Sequence, residues 1–585
     1  MLGFFSLEAA KEEMGLNQSI EECVAEGLNE YQAAPAAPTL HHLGWESETF
    51  WPKMDHLLYL PILGLTRARD LYYYQGDGLH SLYGFTYKYL TLEHFLGQLT
   101  RLQIGYPLAD KLAASYGQAW YPGQSSLYVF TDWHIKPHWT KRYSHTAHVT
   151  MWGRTMPGTK QLILNGPQGY LLGGWNYPID AHLTHVLVDL EEKLEPTLGR
   201  LILCNIFDGE GGGRPLAERY AKAERRYLSI LPRQHDHCLA DFVLEGDWQP
   251  IVADPEREAV FARWAQPDKA ATDPRRFVLL RPIGQTQPSR IYAGCIPQDL
   301  PVALIPWLHR RRWACNELRI RELVNGANLN ANYGYTAQQV PNRTRQRQWD
   351  KAQAQVEVTQ AKLAQGQEAV HNLRHQLAAL QRAYEQQRAD LLAAVVRQRL
   401  ELDQRSELNR PIQRWVRRLQ RLRQELTHTL ARFQKRQRRL GQRLRQHQAR
   451  VKQLHQQLLQ RQTQREAIDT PTLCWERHLE KDQIMLDLQI LLANLHDWAK
   501  QHYFAPEWQS LNLETAIQLI YRKSGQVTWL PDCIQIVLDP YRYQEHQQAM
   551  EITCRRFNQA NLRWRDGRLL CISVQPNPQF QLCDC

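Results

Sequence analysis

Asp132 and Asp208 each follow an apolar run of β-type residues, and each opens a polar or glycine-rich stretch. The first lies in SSLYVFTDWHIK, where residues 127–130 read as a buried strand emptying into a polar cluster. The second lies in RLILCNIFDGEGGG, another buried strand running into a loop. Carboxylates displayed on two neighbouring strands can share divalent cations, because Mg²⁺ takes a few hard oxygen ligands and completes its shell with water and phosphate. Glu317, in the helical stretch RRRWACNELRIREL, supplies a third carboxylate. Three such groups suit two-metal phosphoryl transfer, in which one ion activates a water or a 3′-hydroxyl and the other stabilises the leaving oxygen. Taken singly, each aspartate also reads as a turn-capping residue. Around this set, His134 and Lys136 are candidates to contact the phosphate being cut. Arg310, Arg311 and Arg312 are candidates to bind the flanking backbone, a surface or structural polar role being the other reading of each. Glu210 either supports Asp208 or is simply solvated. Trp133, Trp139 and Trp152 read as core tryptophans rather than base-stacking ones.

The elements that must position these residues follow from composition shifts along the chain. Residues 1–40 read as an N-terminal helical arm closed by the linker AAPAAPT, and 41–122 as a helical domain with aromatic punctuation. The strands that carry the aspartates fall in 123–239. A β-rich insertion occupies 240–303 (FVLEGDWQPIV, RRFVLL, RIYAGCI), and the glutamate helix lies in 304–342. Residues 343–468 are Gln-, Arg- and Leu-rich. One seam runs Val356, Leu363, Val370, Leu373, Leu377, Leu380, Tyr384. A second runs Trp415, Leu419, Leu422, Leu426, Phe433, Leu440, Leu444, Val451, Leu454, Leu458. Asn409, Arg410 and Pro411 stand between them, where proline ends one helix or begins the next. Spacings of three, four and seven predict an antiparallel helical hairpin, with arms of about 50 residues and about 75 Å. Residues 469–585 read as a small α+β unit, with strands IQIVLDP and LLCISV flanking the helix EHQQAMEITCRRFNQ.

A chain of 585 residues calls for several domains. No apolar run reaches the roughly 18 residues a spanning helix needs, and the N-terminus lacks the pattern of a signal peptide, so neither membrane insertion nor secretion is expected. The 11 cysteines are scattered with no C-x-x-C pair, which fits reduced thiols; the CDC terminus is a weak metal-binding possibility only. Net charge is +11, but its distribution says more. Residues 343–465 hold 28 Lys and Arg against nine Asp and Glu, so the rest of the chain is net acidic. The basic segment implies an acidic partner, nucleic acid being the commonest, with a solvated coiled-coil face as the alternative.

Several stretches, taken together, resemble one family. YVFTDWHIKPHWTKR is similar to the Asp-Gly-His-x-Lys-x-Tyr pattern around the first aspartate of a group of insertion-sequence DDE transposases. LILCNIFDGEGG resembles that group's second motif, Phe-Asp-Arg-Glu-Gly, with Gly209 in place of the arginine. RRRWACNELRIRELVNGANLNANYGYTAQQVPNRTRQRQWDK resembles the third, and LPILGLTRARDLY and YLTLEHFLGQL resemble the group's N-terminal region. The resemblance spans roughly residues 45–465. It implies an α/β RNase H-like catalytic core with a β-rich insertion, joined here to a coiled-coil hairpin and the small C-terminal unit. It also implies Asp132, Asp208 and Glu317 as catalytic residues holding two Mg²⁺ or Mn²⁺ ions. The expected partners are double-stranded DNA, as transposon ends and target, and a second copy of the chain on that DNA. The expected place is the cytoplasm, associated with the nucleoid. One register question stands. Counting forward from Trp313 puts Asn316 at the glutamate's place, while counting back from Leu329, Asn330 and Tyr335 puts Glu317 there. One residue turns a helical side chain by about 100°, so the two counts describe different sites. Glu317 is the expectation. A neutral Asn316 there would leave a decayed relative that only binds DNA, and a coiled-coil scaffold without chemistry is the reading from a third class.

Overall fold

The apolar run at 127–130 does form a strand in the computed structural model, which describes the chain except residues 1, 35–36, 46, 75–79, 81–82, 84–85, 143, 252–253, 298, 335, 404–410, 469–472 and 579–585. Leu127 and Val129 pack into one core, whereas Tyr128 and Phe130 face a second core with Cys204 and Ile206. A strand covered on both faces has no polar alternation, which is why it reads as a continuous hydrophobic run. The chain divides into two compact units, Met1–Gln339 with Trp475–Cys585, and Val340–Cys474.

The first unit is mixed α/β around one eleven-stranded sheet. Its strands in chain order begin with β1 (Ser126–Pro137), β2 (Thr146–Val149), β3 (Arg154–Asn165), β4 (Leu171–Pro178), β5 (Leu201–Ile206) and β6 (Tyr227–Ile230). β1 is antiparallel to β3, and β3 to β4, while on its other side β1 is parallel to β5 and β5 to β6. The β-rich stretch expected at 240–303 extends this same sheet. β7 (Phe242–Leu244), β8 (Gln249–Ile251), β9 (Asp254–Trp264), β10 (Arg276–Pro282) and β11 (Arg290–Gly294) form an antiparallel run. It joins where β11 meets β6 at Tyr292↔Ile230. A parallel sheet that stopped at β6 would leave a row of backbone donors and acceptors unpaired, and β11 supplies their partners.

Residues 475–585, expected as part of a small separate unit, belong to this body. The two expected strands are present, Cys533–Leu538 lying parallel to Leu569–Val574 with the helix Gln544–Gln559 packed on them, and a third strand, Gly525–Trp529, pairs antiparallel with the first. The helix Glu480–His502, however, is buried along almost its whole length, against Gly105–Trp120 and β4. Its polar residues complete the sheet. The Gln483 amide accepts from the Asn176 N–H at 2.7 Å and donates to the Gly174 carbonyl at 2.8 Å, and Asn494 donates to the Leu171 carbonyl at 3.1 Å. These are backbone groups of β4 and its start, so a helix side chain does for this strand what another strand would do.

The second unit contains two long helices, Arg343–Asp403 and Pro411–Glu466, packed antiparallel in a coiled-coil-like pair. Tyr384 stacks on Phe433 with ring centroids 4.1 Å apart, and Arg461 donates to the Gln355 carbonyl at 3.0 Å. Val356 and Leu363 are buried, and Leu373, Leu377, Leu422 and Leu454 are half-buried along the predicted seams. The residues 409–410 of the expected break, and the Trp415 side chain that begins the second seam, lie outside the described residues. Among the described residues no helix is long and apolar enough to cross a membrane.

The Gln483 contacts give a test of the packing. Replacing Gln483 by Ala leaves two buried backbone groups of β4 unpaired, an expected loss of about 2–4 kcal/mol in urea unfolding. A loss under about 0.5 kcal/mol would show that water replaces the amide there.

Candidate functional site

Parallel pairing of β1 with β5 ends at Phe130↔Ile206, and both aspartates stand two residues beyond that pair. They therefore occupy matched positions on adjacent strands, at the edge of a region where β1 has a parallel neighbour on one side and an antiparallel one on the other. The region beyond the carboxyl ends of parallel strands is the usual ligand position of α/β sheets. Asp132 is not at a strand end, as the sequence suggested. β1 continues to Pro137 because β3 goes on pairing with it, and only β5 stops. Asp208 does open a loop, ahead of the short 3₁₀ turn Gly209–Gly211, and is the more exposed of the two, at 58% of its side chain against 25%.

A cation sits where the acids converge. Arg312 Nη1 lies 2.7 Å from Asp132 Oδ2, and Nη2 lies 3.9 Å from Asp208 Oδ1 and in direct contact with Glu317 Oε1. Burial pushes the Asp132 carboxyl up to about 6. The Arg312 charge and the Trp133 N–H at 2.8 Å oppose that rise, and the neighbouring Asp208 and Glu317 charges add to it. The three carboxylates thus share one guanidinium. Among the described residues no three acidic, histidine or cysteine side chains stand close enough together to hold a metal ion. Their chemical type fits a hard divalent cation, but their present spacing is set by Arg312.

The register question has a structural answer. The helix Ile305–Arg312 is α-helical, Trp313–Glu317 is a π-helical turn, and Leu318–Gly326 is α-helical again. A π turn holds an extra residue, so counts taken from its two sides disagree by one. Asn316 is fully buried, and its amide nitrogen lies 3.0 Å from the Phe130 carbonyl, 3.2 Å from the Ile163 carbonyl and 3.0 Å from Asn165 Oδ1. It fastens the helix to β1 and β3, and the next residue, Glu317, faces the aspartates. Tyr335, one of the markers for that count, lies outside the described residues.

Most of the remaining sequence candidates are held by partners within the protein. Lys136 is buried and its ammonium lies 3.0 Å from the equally buried Asp482, so it is an ion-pair partner inside the body and not a phosphate contact. His134 is buried and its Nε2 lies 2.8 Å from Asn330 Oδ1; burial pushes its imidazole down to about 4. Arg311 donates to the Pro167 carbonyl at 2.8 Å, and Arg312 faces the acids, which leaves Arg310 as the outward member of the three. Glu210 lies 3.3 Å from the Lys160 ammonium, which also sits over the Trp133 ring. Of the three tryptophans expected in the core, Trp133 is half-buried and packs against it, whereas Trp139 and Trp152 are exposed by 65% and 37%. The Cys583 and Cys585 of the terminal CDC lie outside the described residues.

Sequence reading missed a buried polar chain beside the site. The hydroxyl of Thr131, adjacent to Asp132, lies 2.7 Å from Asn205 Oδ1 on β5. Asn205 donates to Glu191 at 2.7 Å, and Tyr220 also donates to Glu191. The one signal was an asparagine inside the apolar run LILCNIF. Burial raises the Glu191 carboxyl to about 7, against the pull of Tyr220, Asn205 and Arg225. The native state therefore keeps a proton that the unfolded chain releases near pH 4.5. Stability from this group is full below that value and is lost as pH rises towards 7. Glu191→Gln should remove this component. Between pH 5 and 7.5 the wild type is expected to lose roughly 1–3 kcal/mol relative to the variant, whatever the uniform cost of the substitution. Parallel stability–pH curves in chemical denaturation would sink the assignment. Searches of protein-family models and of curated proteins return no match to this chain.

Proposed function

We propose that the chain is a DDE-type DNA transposase, cutting phosphodiesters at element ends and joining the freed 3′-hydroxyls to target DNA on an RNase H-like core. The observation that carries the reading is the convergence of Asp132, Asp208 and Glu317 on one guanidinium, from two adjacent strands and a helix fastened over them. The sheet supports it as well, since β1 lies between an antiparallel and a parallel neighbour and the acids stand beside that reversal. Two Mg²⁺ or Mn²⁺ ions held by these carboxylates would activate the attacking oxygen and stabilise the leaving one.

The chain's own contribution begins with Arg312. Its planar donor fork now binds carboxylates, and a phosphate offers the same bidentate geometry. Handing the fork to the phosphate being cut both orients the substrate and frees the acids. Asn316 keeps the helix fixed on β1 and β3 while that side chain moves. A decayed relative that only binds DNA is the second reading, because the same guanidinium neutralises the acids as they stand.

Nicking separates the two. A supercoiled plasmid carrying the DNA that flanks the coding sequence should be nicked with Mg²⁺ or Mn²⁺. Glu317→Gln should lower that rate by more than about 100-fold and spare DNA retention, since it removes a charge and almost no volume. Retention without nicking by the wild type, under both ions, would favour the decayed reading.

The hairpin supplies the electrostatic contact with DNA in this proposal, and its charge is lopsided. Pro411–Glu466 carries 16 Lys and Arg against two acidic residues, whereas Arg343–Asp403 carries ten against seven. Each phosphate neutralised releases condensed counterion, so log affinity falls with log salt by about 0.9 per contact. Replacing Arg436, Arg438, Arg439 and Arg443 by Gln should therefore flatten the salt slope by up to about 3.6. Replacing Lys351, Lys362, Arg374 and Arg382 should change it far less. Equal slopes for both variants, with a change in sedimenting mass, would make the hairpin a dimerisation rod instead.

A further inference from the structure

Five arginines, Arg225, Arg226, Arg263, Arg275 and Arg276, line one cavity of about 390 Å³, with Trp264 as its largest apolar wall. Arg225 and Arg226 come directly before β6. Residues 295–297, which continue the wall, come directly after β11, the antiparallel neighbour of β6. Asp208 stands beyond the opposite end of β5, which runs parallel to β6. The cavity therefore opens at the end of the sheet remote from the acids, and none of Asp132, Asp208, Arg312 and Glu317 lines it.

The carboxylates around the cavity do not match its guanidiniums. Arg275 is held by Asp273 at 2.6 Å and by donation to the Gly212 carbonyl at 2.7 Å. Arg225 is held by Glu195 at 2.7 Å, with Glu191 farther off at 3.5 Å. Arg263 and Arg276 share the single carboxylate of Glu245, Arg276 at 2.8 Å and Arg263 in direct contact. Arg226 is exposed and makes no hydrogen bond or ion pair among the described residues. Three guanidiniums thus line the cavity with one carboxylate among them. Each guanidinium offers five N–H donors in a planar fork, and a phosphate group supplies oxygens at the spacing that fork takes in pairs. Trp264, Pro274 and Pro297 give the same cavity an apolar side. Its volume lies in the range of small-molecule sites and is too small for a double helix. We propose that this cavity binds a free phosphorylated small molecule of mononucleotide size, with the phosphate on Arg226, Arg263 and Arg276 and the nucleoside part against Trp264 and the prolines. The site stands apart from the transposase reading, since it uses no residue of the acidic crevice.

Calorimetric titration of the full chain with ATP tests this, at physiological salt and without divalent metal, so that the acids cannot hold the triphosphate through an ion. The wild type should bind ATP at a single site. Adenosine, which lacks the phosphate, and inorganic phosphate, which lacks the nucleoside, should each bind more weakly. Arg226→Gln with Arg263→Gln should weaken ATP binding by about 10- to 100-fold, the loss expected for hydrogen bonds to a charged group. Arg226→Lys with Arg263→Lys keeps the charge but not the fork, and should recover only part of that loss. Ala270→Phe, in the helix Pro267–Thr272, fills the cavity without touching a charge and should abolish binding. Arg226 is exposed and Arg263 is 54% exposed, so the arginine variants should melt with the wild type. Absence of ATP binding by the wild type overturns the proposal, as does equal affinity in the wild type and the Gln variant. Binding that survives Ala270→Phe and is fully restored by lysine overturns it in favour of diffuse surface attraction. A DNA duplex that binds through Arg226 and Arg263 while ATP does not overturns it in favour of a contact with the DNA backbone.

Discussion

Carboxylates gathered in a partly dry crevice repel one another, and a fold can assemble them only around a compensating cation. Arg312 is that cation for Asp132, Asp208 and Glu317. The same rule shapes the rest of the first unit. Arg319 sits between Glu322 and Asp497, Lys136 against Asp482, and Lys11 with Arg565 against Glu8 and Asp55. The last group ties the N-terminal helix Leu2–Glu13 to Arg565 near the other end of the chain. Asp487 shows the alternative. It is buried, with a Gln483 amide rather than a cation as its hydrogen-bond partner, and burial drives its carboxyl well above the usual range, towards the neutral form.

The site differs from these structural pairs in one respect. Lys136 and Asp482 are both sealed from solvent, and separating them would strand two charges at a cost of several kcal/mol, roughly 3–5 by analogy with other buried pairs. Asp208 is 58% exposed and Glu317 26%, so the acids around Arg312 are open to water and to ligands. An exchange of partners is physically accessible there and not at the sealed pairs. Exposure, more than the carboxylates themselves, marks the candidate site.

How much of this was legible in the sequence depended on whether a feature is local. The strands at 127–130 and 201–206 were readable because both faces are covered, and the helical seams because a period of three and four survives any tertiary context. The place of Asp132 within β1 was not readable, since a strand's length is set by whichever neighbour goes on pairing, here β3. Glu480–His502 was hidden for a different reason. Its Asp482, Gln483 and Asn494 look solvated, yet they pair with Lys136, the backbone of β4 and Trp120, hundreds of residues away. The Asn316–Glu317 ambiguity came from a π turn, which adds a residue without leaving a sequence mark. Trp139 and Trp152 were expected inside because burial is the ordinary fate of a large ring, and nothing local announced their exposure.

The π turn also explains how two adjacent residues can both serve the site. In a regular α-helix, neighbours point about 100° apart, so a residue anchored into the sheet would send the next one aside. Widening the turn at Trp313–Glu317 changes that angular step. It allows Asn316 to bind the carbonyls of Phe130 and Ile163 while Glu317 reaches the guanidinium that Asp132 also holds. Arg312 is the last residue before the turn, so the distortion lies between the cation and the third acid. π turns are rare and cluster at functional positions, and here the turn has a geometric task. Deleting one residue within it would restore an ordinary helix and force a choice between the anchor and the acid.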